Sequence, residues 1–243
     1  MNRTMIIGAT SAIAQATARL LAPRGDFLVL AGRNEERLRT VAADLEARGA
    51  SGTEIILFDA CAETDFAELA QRGWGGGLNM LLVAHGSLPD QLAIQDDPGA
   101  SLREMQINAL SGIALLSAFA PLFEAQSSGT IAVISSVAGD RGRQSNYVYG
   151  AAKAALTVYS QGLRNRLSKC GVVVLTIKPG FVDTPMTASF PKGLLWAQPE
   201  RIAQGILRAS EGVGGVAYLP WFWRYIMLVI KLIPERLFKK LSL

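Results

Sequence analysis

Short apolar runs rich in β-branched residues recur along the chain, and stretches with apolar residues at helical spacing separate them. Glycine or polar residues bound the runs, which is typical of buried strands in a parallel sheet. These strands are predicted at Thr4–Ile7, Phe27–Ala31, Glu54–Phe58, Met80–Ala84, Ile131–Ile134, Val172–Ile177 and Val216–Leu219. The alternation of strands and helices predicts an α/β fold with a doubly wound, seven-stranded parallel sheet.

The helical stretches between these strands are expected to cover both faces of the sheet. They are predicted at Gln15–Ala22, Asn34–Arg48, Leu102–Phe123 and Gln198–Ser210. An alanine-rich stretch that carries Tyr149 and Lys153 predicts a further helix, and the glycine run of residues 73–77 predicts a loop. A chain of 243 residues, half of them hydrophobic, has the size of one α/β domain.

Candidate catalytic residues follow the fifth predicted strand, which ends in Ser135 and Ser136. Tyr149 and Lys153 share one face of the alanine-rich helix, because they are four residues apart. An ammonium beside a phenol favours the phenolate, so Lys153 is expected to lower the Tyr149 pKa below its free value of about 10. Such a phenol can exchange a proton with a carbonyl or alcohol oxygen, and Ser136 can bond the same oxygen. The alternative is chance, because this tyrosine–lysine spacing is common.

The first predicted strand leads into the turn sequence GATSAIA and then into a helix. This order opens a dinucleotide-binding unit, in which the pyrophosphate of the cofactor lies at the helix N-terminus. Gly8 permits the tight turn. Thr10, Ser11 and Ile13 are expected to contact the cofactor together with it.

With both motifs in one chain, the sequence resembles the short-chain dehydrogenase/reductase family over roughly residues 3 to 220. The resemblance implies a Rossmann-type fold, a nicotinamide dinucleotide cofactor, and catalysis by Asn108, Ser136, Tyr149 and Lys153. In the family the asparagine bends the central helix and holds a water that relays protons to the lysine. The alternative for Asn108 is a polar residue on a solvated helix face.

The chain departs from the family pattern at two places. Ala12 and Ala14 replace two glycines of the TGxxxGxG turn, where a methyl group is the smallest possible intrusion. Where the family has NNAG, this chain has Val83-Ala84-His85-Gly86. His85 is the only histidine, and we expect a structural rather than a catalytic role for it.

The resemblance also implies further cofactor contacts. Asp59 matches the aspartate that holds the adenine end, with a helix N-cap as the alternative. Val182 and Thr184 are expected to face the nicotinamide carboxamide. The remaining expected contacts are Ala84, Gly86, Tyr149, Lys153, Pro179 and Gly180.

Arg33 bears on the choice between the two nicotinamide cofactors. Cofactors with a free ribose 2′-hydroxyl usually meet an acidic residue at the end of the second strand, and this chain has Gly32-Arg33-Asn34 there. A guanidinium binds a 2′-phosphate through two hydrogen bonds. The sequence therefore predicts that NADP(H) is favoured over NAD(H), with an exposed turn arginine as the alternative.

Residues 185–197 are expected to form a mobile lid over the substrate. Its apolar side chains are Met186, Phe190, Leu194, Leu195 and Trp196. They predict a substrate with apolar surface, and ordinary packing is the alternative.

Charge and cysteine content exclude several classes of function. Cys61 and Cys170 stand in no zinc-binding spacing, so we expect reduced thiols, no metal site and a cytoplasmic protein. Met1-Asn2-Arg3 leads directly into a strand, without room for a signal peptide. Residues 220–243 hold five basic residues and one acidic residue, which accounts for the whole net charge of +4. This placement argues against nucleic acid as a partner.

The C-terminal tail, residues 221–243, reads as an amphipathic segment. Its apolar run is too short to span a bilayer, but aromatic and basic residues beside an apolar face suit a membrane surface. Packing on the core or an oligomer interface is the alternative, and both can hold at once. The resemblance to the family also implies a homo-oligomer. The tail resembles that of the bacterial decaprenylphosphoryl-2-keto-pentose reductases, which reduce a keto-sugar carried on a polyprenyl phosphate.

These observations predict an NADP(H)-binding reductase domain at residues 1–220 and the tail at residues 221–243. The predicted activity is reduction of a ketone to a secondary alcohol, or the reverse, with a small-molecule or lipid-linked substrate. An NADP(H) sensor or a structural protein on the same fold is the alternative.

Overall fold

In a computed structural model, which describes residues 2–241, seven parallel strands form one sheet in the order β3-β2-β1-β4-β5-β6-β7. The strands are β1 (Arg3–Ile7), β2 (Phe27–Gly32), β3 (Gly52–Leu57), β4 (Met80–Val83), β5 (Thr130–Ile134), β6 (Val173–Pro179) and β7 (Gly215–Leu219). The predicted doubly wound α/β fold is confirmed. Residues 1, 242 and 243 of the two predicted regions lie outside the described residues.

The helices lie between the strands and continue after β7. They are α1 (Ala12–Leu21), α2 (Glu35–Ala47), α3 (Phe66–Trp74), α4 (Gln91–Ile94), α5 (Pro98–Met105), α6 (Ser111–Gln126), α7 (Tyr147–Leu167), α8 (Pro199–Ser210), α9 (Trp223–Leu232) and α10 (Glu235–Phe238). Short α4 lies in a stretch for which the sequence predicted no element.

The strand order changes direction at β1. Ile7 pairs with Ala31 of β2 on one side and with Val83 of β4 on the other. The carboxyl ends of these three strands therefore lie at one edge of the sheet, where a crevice opens between the diverging connections. That crevice is where the residues of the candidate site collect.

Each face of the sheet packs against its own set of helices. On one face, Phe119 and Phe123 of α6 join Leu163 of α7 in a buried cluster with the strands. On the other face, α1, α2 and α8 bury side chains such as Leu38 and Ile206. These two apolar layers explain why the strands read as nearly continuous hydrophobic runs.

Helices α5 and α6 are joined by a π-helical turn, Gln106–Leu110, into one continuous run from Pro98 to Gln126. This run is long and apolar enough to cross a membrane, but half of its most apolar stretch is buried inside the fold. The sequence predicted this helix but not its π-helical turn, which is wider than a turn of an α-helix. The turn contains Asn108, and widened turns of this kind are frequent at functional sites.

The tail begins with α9, which packs on the domain by one face. Trp223 and Met227 form a small buried cluster with Val137, in the turn that follows β5. The opposite face of α9 is exposed. The residues of the predicted lid contain one short 3₁₀ turn, Pro185–Thr187, and a single bridge joins Val182 to Ala197.

Candidate active site

A cavity of about 190 Å³ lies at the carboxyl ends of β1, β2 and β4. Seven of the predicted cofactor residues line it: Gly8, Thr10, Ser11, Arg33, Asp59, Ala84 and Gly86. Gly32, Phe58, Ala60, His85, Ser87, Ile107 and Met186 complete the wall. Seven other predicted contacts are not part of this wall, namely Ile13, Tyr149, Lys153, Pro179, Gly180, Val182 and Thr184.

The first turn fits a dinucleotide cofactor. Gly8 has φ +79°, and a Cβ there would lie 2.6 Å from the backbone of His85, so only glycine keeps the turn flat against β4. Ser11 caps α1 through its Oγ, which accepts from Ala14 N at 3.3 Å. The remaining amides at the start of α1 stay available to an anion, as a pyrophosphate site requires.

Ala14 shows how the fold tolerates the loss of a glycine. Its methyl group is fully buried among the side chains between α1 and the sheet. The helix therefore packs on this face with alanine in the place of the family's third glycine. Ala12, the first residue of α1, is only partly buried.

Asp59 and Arg33 both line the wall of the cavity. The Asp59 carboxylate accepts from Cys61 N at 2.9 Å, which orders the loop after β3. The residue that caps α3 is Asp65, whose carboxylate accepts from Ala67 N and Glu68 N. The N-cap alternative for Asp59 was therefore wrong. Arg33 is exposed at the end of β2.

His85 is a half-buried, neutral imidazole in the cavity wall. Its Nε2 lies 2.9 Å from Ser111 Oγ, and that hydroxyl donates to Ile107 O, so Nε2 carries the proton toward Ser111. Burial, helped by the Lys153 charge, lowers the pKa of His85 to about 3. Such a histidine keeps one form across the physiological range, in agreement with the structural role predicted for it.

The strand-end serines have different tasks. Ser135 Oγ is buried, donates to Lys153 O at 3.0 Å, and lies 2.7 Å from Thr157 Oγ1. Ser135 therefore fastens the first turns of α7 to the end of β5. Ser136 Oγ accepts from Ala138 N at 3.1 Å and starts the 3₁₀ turn Val137–Asp140.

Lys153 extends inward from α7 toward the cavity edge. Its ammonium is buried, donates to Ile134 O at 3.2 Å, and lies 5.7 Å from the centre of the Tyr149 ring. A Cβ built on Gly86, which lines the cavity, would be 3.3 Å from Lys153 Nζ and 2.7 Å from Asn108 Oδ1. Gly86 thus lets the ammonium and the amide approach the cavity wall.

The predicted lowering of the Tyr149 pKa is wrong for this structure. Burial of the phenol raises its pKa to about 12, and the Ser136 side chain offsets only part of that rise. Burial also lowers the pKa of Lys153 to about 8. Desolvation is the largest cause of both shifts, because it disfavours the charged form of each group. At neutral pH the site therefore holds a protonated phenol beside a positively charged lysine.

Asn108 belongs to a polar network that the sequence did not reveal. Its Nδ2 donates to Glu104 Oε2 at 2.9 Å and to Ser87 Oγ at 3.0 Å, while its Oδ1 accepts from Ser87 N at 3.0 Å. The side chain is 2% exposed, so the solvated-face alternative was wrong. Glu104 stands one helical turn before Asn108, a spacing that could have indicated the pair.

A second residue missed by sequence reasoning is Gln91 of α4. Its Oε1 accepts from Val148 N at 3.0 Å in the first turn of α7. This bond satisfies one of the free amides at the helix start. It fixes the turn that carries Tyr149, directly after Val148.

The Pro179-Gly180 segment contacts the tail. A Cβ on Gly180 would overlap the Trp223 indole, so this glycine gives room to the ring. The carbonyl of Val182 accepts from Thr187 Oγ1 at 2.6 Å, and Thr184 caps the turn Pro185–Thr187. The predicted cofactor roles of these four residues, Pro179, Gly180, Val182 and Thr184, remain predictions.

The comparisons with known proteins agree with this geometry. The family model described as short chain dehydrogenase matches residues 2–194. An uncharacterised oxidoreductase of Mycobacterium tuberculosis is 33% identical over 245 aligned residues, covering 98% of this chain and 96% of the relative.

Solved structures give the same result. A short chain dehydrogenase/reductase family protein has a TM-score of 0.79 at 28% identity, over 89% of this chain and 94% of its own. A short-chain dehydrogenase from Sphingobium yanoikuyae in complex with NADPH has the same fold, with a TM-score of 0.81 at 23% identity over 97% of each chain. The chain belongs to the short-chain dehydrogenase/reductase family, whose members are oxidoreductases that act on CH–OH and C=O groups with NAD(P)(H).

Proposed function

We propose that this protein reduces a ketone to a secondary alcohol with NADPH, using Tyr149 as the acid. The observation that carries the proposal is the grouping of the Tyr149 phenol, the Ser136 hydroxyl and the buried Lys153 ammonium near a cavity lined by residues of the dinucleotide-binding turn. Asn108, whose Oδ1 approaches Gly86 as the Lys153 ammonium does, is assigned to the proton relay. In bound form, NADPH supplies the hydride for the carbonyl carbon.

The protonation states favour reduction. When hydride adds to the carbonyl carbon, the carbonyl oxygen becomes an alkoxide. This alkoxide is a stronger base than the phenolate of Tyr149, because the pKa of the Tyr149 phenol is only about 12. Proton transfer from Tyr149 to that oxygen is therefore downhill. Ser136 donates a hydrogen bond to the same oxygen, and Lys153 stabilises the phenolate left behind.

We propose NADPH rather than NADH because Arg33, and no carboxylate, stands at the end of β2. The carboxylate of Asp59 lies on the same cavity wall, but Asp59 follows β3 and therefore does not occupy the position at the end of β2. The competing proposal is an NADP(H) sensor without turnover, favoured by Ala12, Ala14 and the absent NNAG sequence. The complete set of catalytic residues supports an enzyme instead.

We propose an apolar or lipid-linked substrate, such as a keto-sugar on a polyprenyl phosphate. The lid carries apolar side chains that are open to solvent, with Leu194 fully exposed and Phe190 44% exposed. Large apolar side chains exposed beside a binding cavity favour a ligand that covers them.

We also propose that the tail lies on the inner surface of the membrane. Helix α9 is apolar on two opposite faces, and the exposed Arg224 and Lys231 lie between them. Its inner face packs on the domain. The outer face consists of exposed apolar residues, namely Tyr225, Leu228, Val229 and Leu232. The exposed basic residues of the tail are Arg224 and Lys231 within α9, and Arg236, Lys239 and Lys240 beyond it. This charge complements an anionic bilayer, and the apolar face complements its interior.

Tyr149→Phe removes the acid and keeps the ring. We expect turnover of a ketone to fall by roughly 10²–10⁴-fold, with NADPH affinity unchanged within about twofold. Steady-state oxidation of NADPH and equilibrium titration of the cofactor measure the two quantities. Turnover equal to that of the unmodified protein contradicts the mechanism and leaves the sensor proposal.

Lys153→Met tests the burial of the ammonium through pH. Because the folded-state pKa of Lys153 is lowered from 10.5 to about 8, the unfolded chain binds the extra proton between these values. Stability of the unmodified protein therefore gains from this group as the pH rises from about 8 to about 10.5. Removing the amine should raise the free energy of unfolding at about pH 7 by roughly 1–3 kcal/mol and flatten this rise. Urea denaturation without cofactor measures both. If Lys153→Met had a lower free energy of unfolding at neutral pH, burial of the ammonium would not be unfavourable to the folded state.

Arg33→Ala tests the cofactor preference. We expect NADPH affinity to fall by about tenfold or more, with NADH affinity unchanged, because only NADPH has the 2′-phosphate. Arg48→Ala, at the other end of α2, is the matched control. Nicotinamide fluorescence titration gives the affinities. Equal losses for both cofactors would leave Arg33 as an ordinary turn arginine.

Leu228→Ser with Leu232→Ser tests the outer face of α9 without disturbing its buried face. We expect at least about tenfold weaker partition onto vesicles of equal parts phosphatidylglycerol and phosphatidylcholine. Leu92→Ser, an equally exposed leucine on α4, is the control. Co-sedimentation measures the partition, and sedimentation velocity gives the mass in solution. A dimer that the double variant dissociates, with no lipid binding by the unmodified protein, would show that a second copy covers this face.

A further inference from the structure

A buried ionic cluster lies directly beyond the turn that follows Ser136, and the proposed mechanism does not use it. The Asp140 carboxylate binds the Lys178 ammonium and accepts from Tyr218 Oη at 2.7 Å. The side chains of Asp140 and Lys178 are only 3% and 6% exposed. Asp140 thereby ties the end of the turn to β6 and β7.

Arg141, the next residue, ties the same turn to the tail. Its Nη1 donates to Ile230 O and to Ile233 O, each at 2.6 Å, at the C-terminal end of α9. Its Nη2 donates to Glu235 Oε2 at 3.0 Å, and its guanidinium lies 3.6 Å from the centre of the Phe238 ring. One side chain thus satisfies the free carbonyls at the end of α9 and holds the start of α10.

The inner face of α9 reaches the same turn from a second direction. Trp223 packs on Val137, the residue after Ser136, and on Gly180. The Phe181 ring meets the Trp223 ring edge-on and stacks on the Trp196 ring of the lid. In both pairs the ring centres are 5.3 Å apart. The tail therefore contacts the serine turn and the lid at once.

These contacts bear on the orientation of Ser136. Its hydroxyl is oriented by the turn Val137–Asp140, because Oγ accepts from Ala138 N inside that turn. One end of the turn continues from β5, and the other end is fixed by the partners of Asp140 and Arg141. The partners of Asp140 lie in β6 and β7, whereas the partners of Arg141 lie in the tail.

We propose that Arg141 is a positioning residue for Ser136, which makes the tail a working part of the active site. By binding the end of α9, Arg141 holds the turn so that the Ser136 hydroxyl points at the reacting oxygen. The inference rests on the proposed ketone reduction, in which Ser136 stabilises the alkoxide.

A double-mutant cycle tests whether Arg141 acts through Ser136. We expect Arg141→Gln to lower kcat by about tenfold, with the KM for NADPH unchanged. In the Ser136→Ala background the same change should cost less than about twofold, because the hydroxyl to be positioned is gone. Arg141→Lys should recover part of the loss, since an ammonium reaches fewer of the carbonyls. Arg39→Gln, an exposed arginine on α2, is the control.

Equal losses in both backgrounds would overturn the proposal, because Arg141 would then stabilise the fold without acting on Ser136.

Hydrogen exchange provides a readout that needs no substrate. Arg141→Gln should speed exchange in the peptide covering residues 136–141, with the peptide covering α2 unchanged. Unchanged exchange at residues 136–141 would also overturn it. Loss of turnover in Tyr149→Phe tests the ketone reduction itself, so the two failures are distinguishable.

Discussion

Burial of the Lys153 ammonium is the constraint on which the site depends. A positive charge inside the fold is unfavourable unless it is bonded, and this one has Ile134 O as its bonded partner. Ser135 holds the backbone of Lys153 against the end of β5. Gly86 admits both the ammonium and Asn108 to the cavity wall. These residues together hold one buried charge at the edge of the cavity.

The same burial acts on Tyr149 in the direction that reduction requires. Removing water from the phenol keeps its proton in place until a stronger base forms next to it. In the proposed reduction, the nearby ammonium would stabilise the phenolate only after proton transfer. A resting site with a held proton and a poised positive charge is preorganised for donation, which is the larger part of what a protein contributes to such a step.

The sequence predicted the parts of this structure that local patterns determine. Periodicity located the seven strands, and the spacing of Tyr149 and Lys153 identified their common helix face. The sign of the Tyr149 pKa shift was not predictable, because adjacency to Lys153 is visible in the sequence and burial is not. Gln91 was missed for a related reason, because its partner depends on how α4 packs on α7. Glu104 differs, because it lies four residues before Asn108 on one continuous helical run and their spacing alone could have indicated the pair.

The tail illustrates the same limit. Its composition indicated an amphipathic segment, but the pattern did not reveal that Trp223 occupies the space above Gly180 or that Arg141 binds the end of α9. Both contacts join positions far apart in the chain, and a single sequence carries no local signal of them. Gly180, assigned to the cofactor by the resemblance, also serves to admit the tail.

Transfer of a deuterium label from NADPH to the product tests the central claim most directly. NADPH carrying deuterium at the transferable position is mixed with the protein and a set of apolar and lipid-linked ketones, and the alcohols are examined by mass spectrometry. The account predicts an alcohol with the label on its carbinol carbon. Binding of NADPH with no labelled alcohol from any ketone would contradict the reductase and favour the sensor.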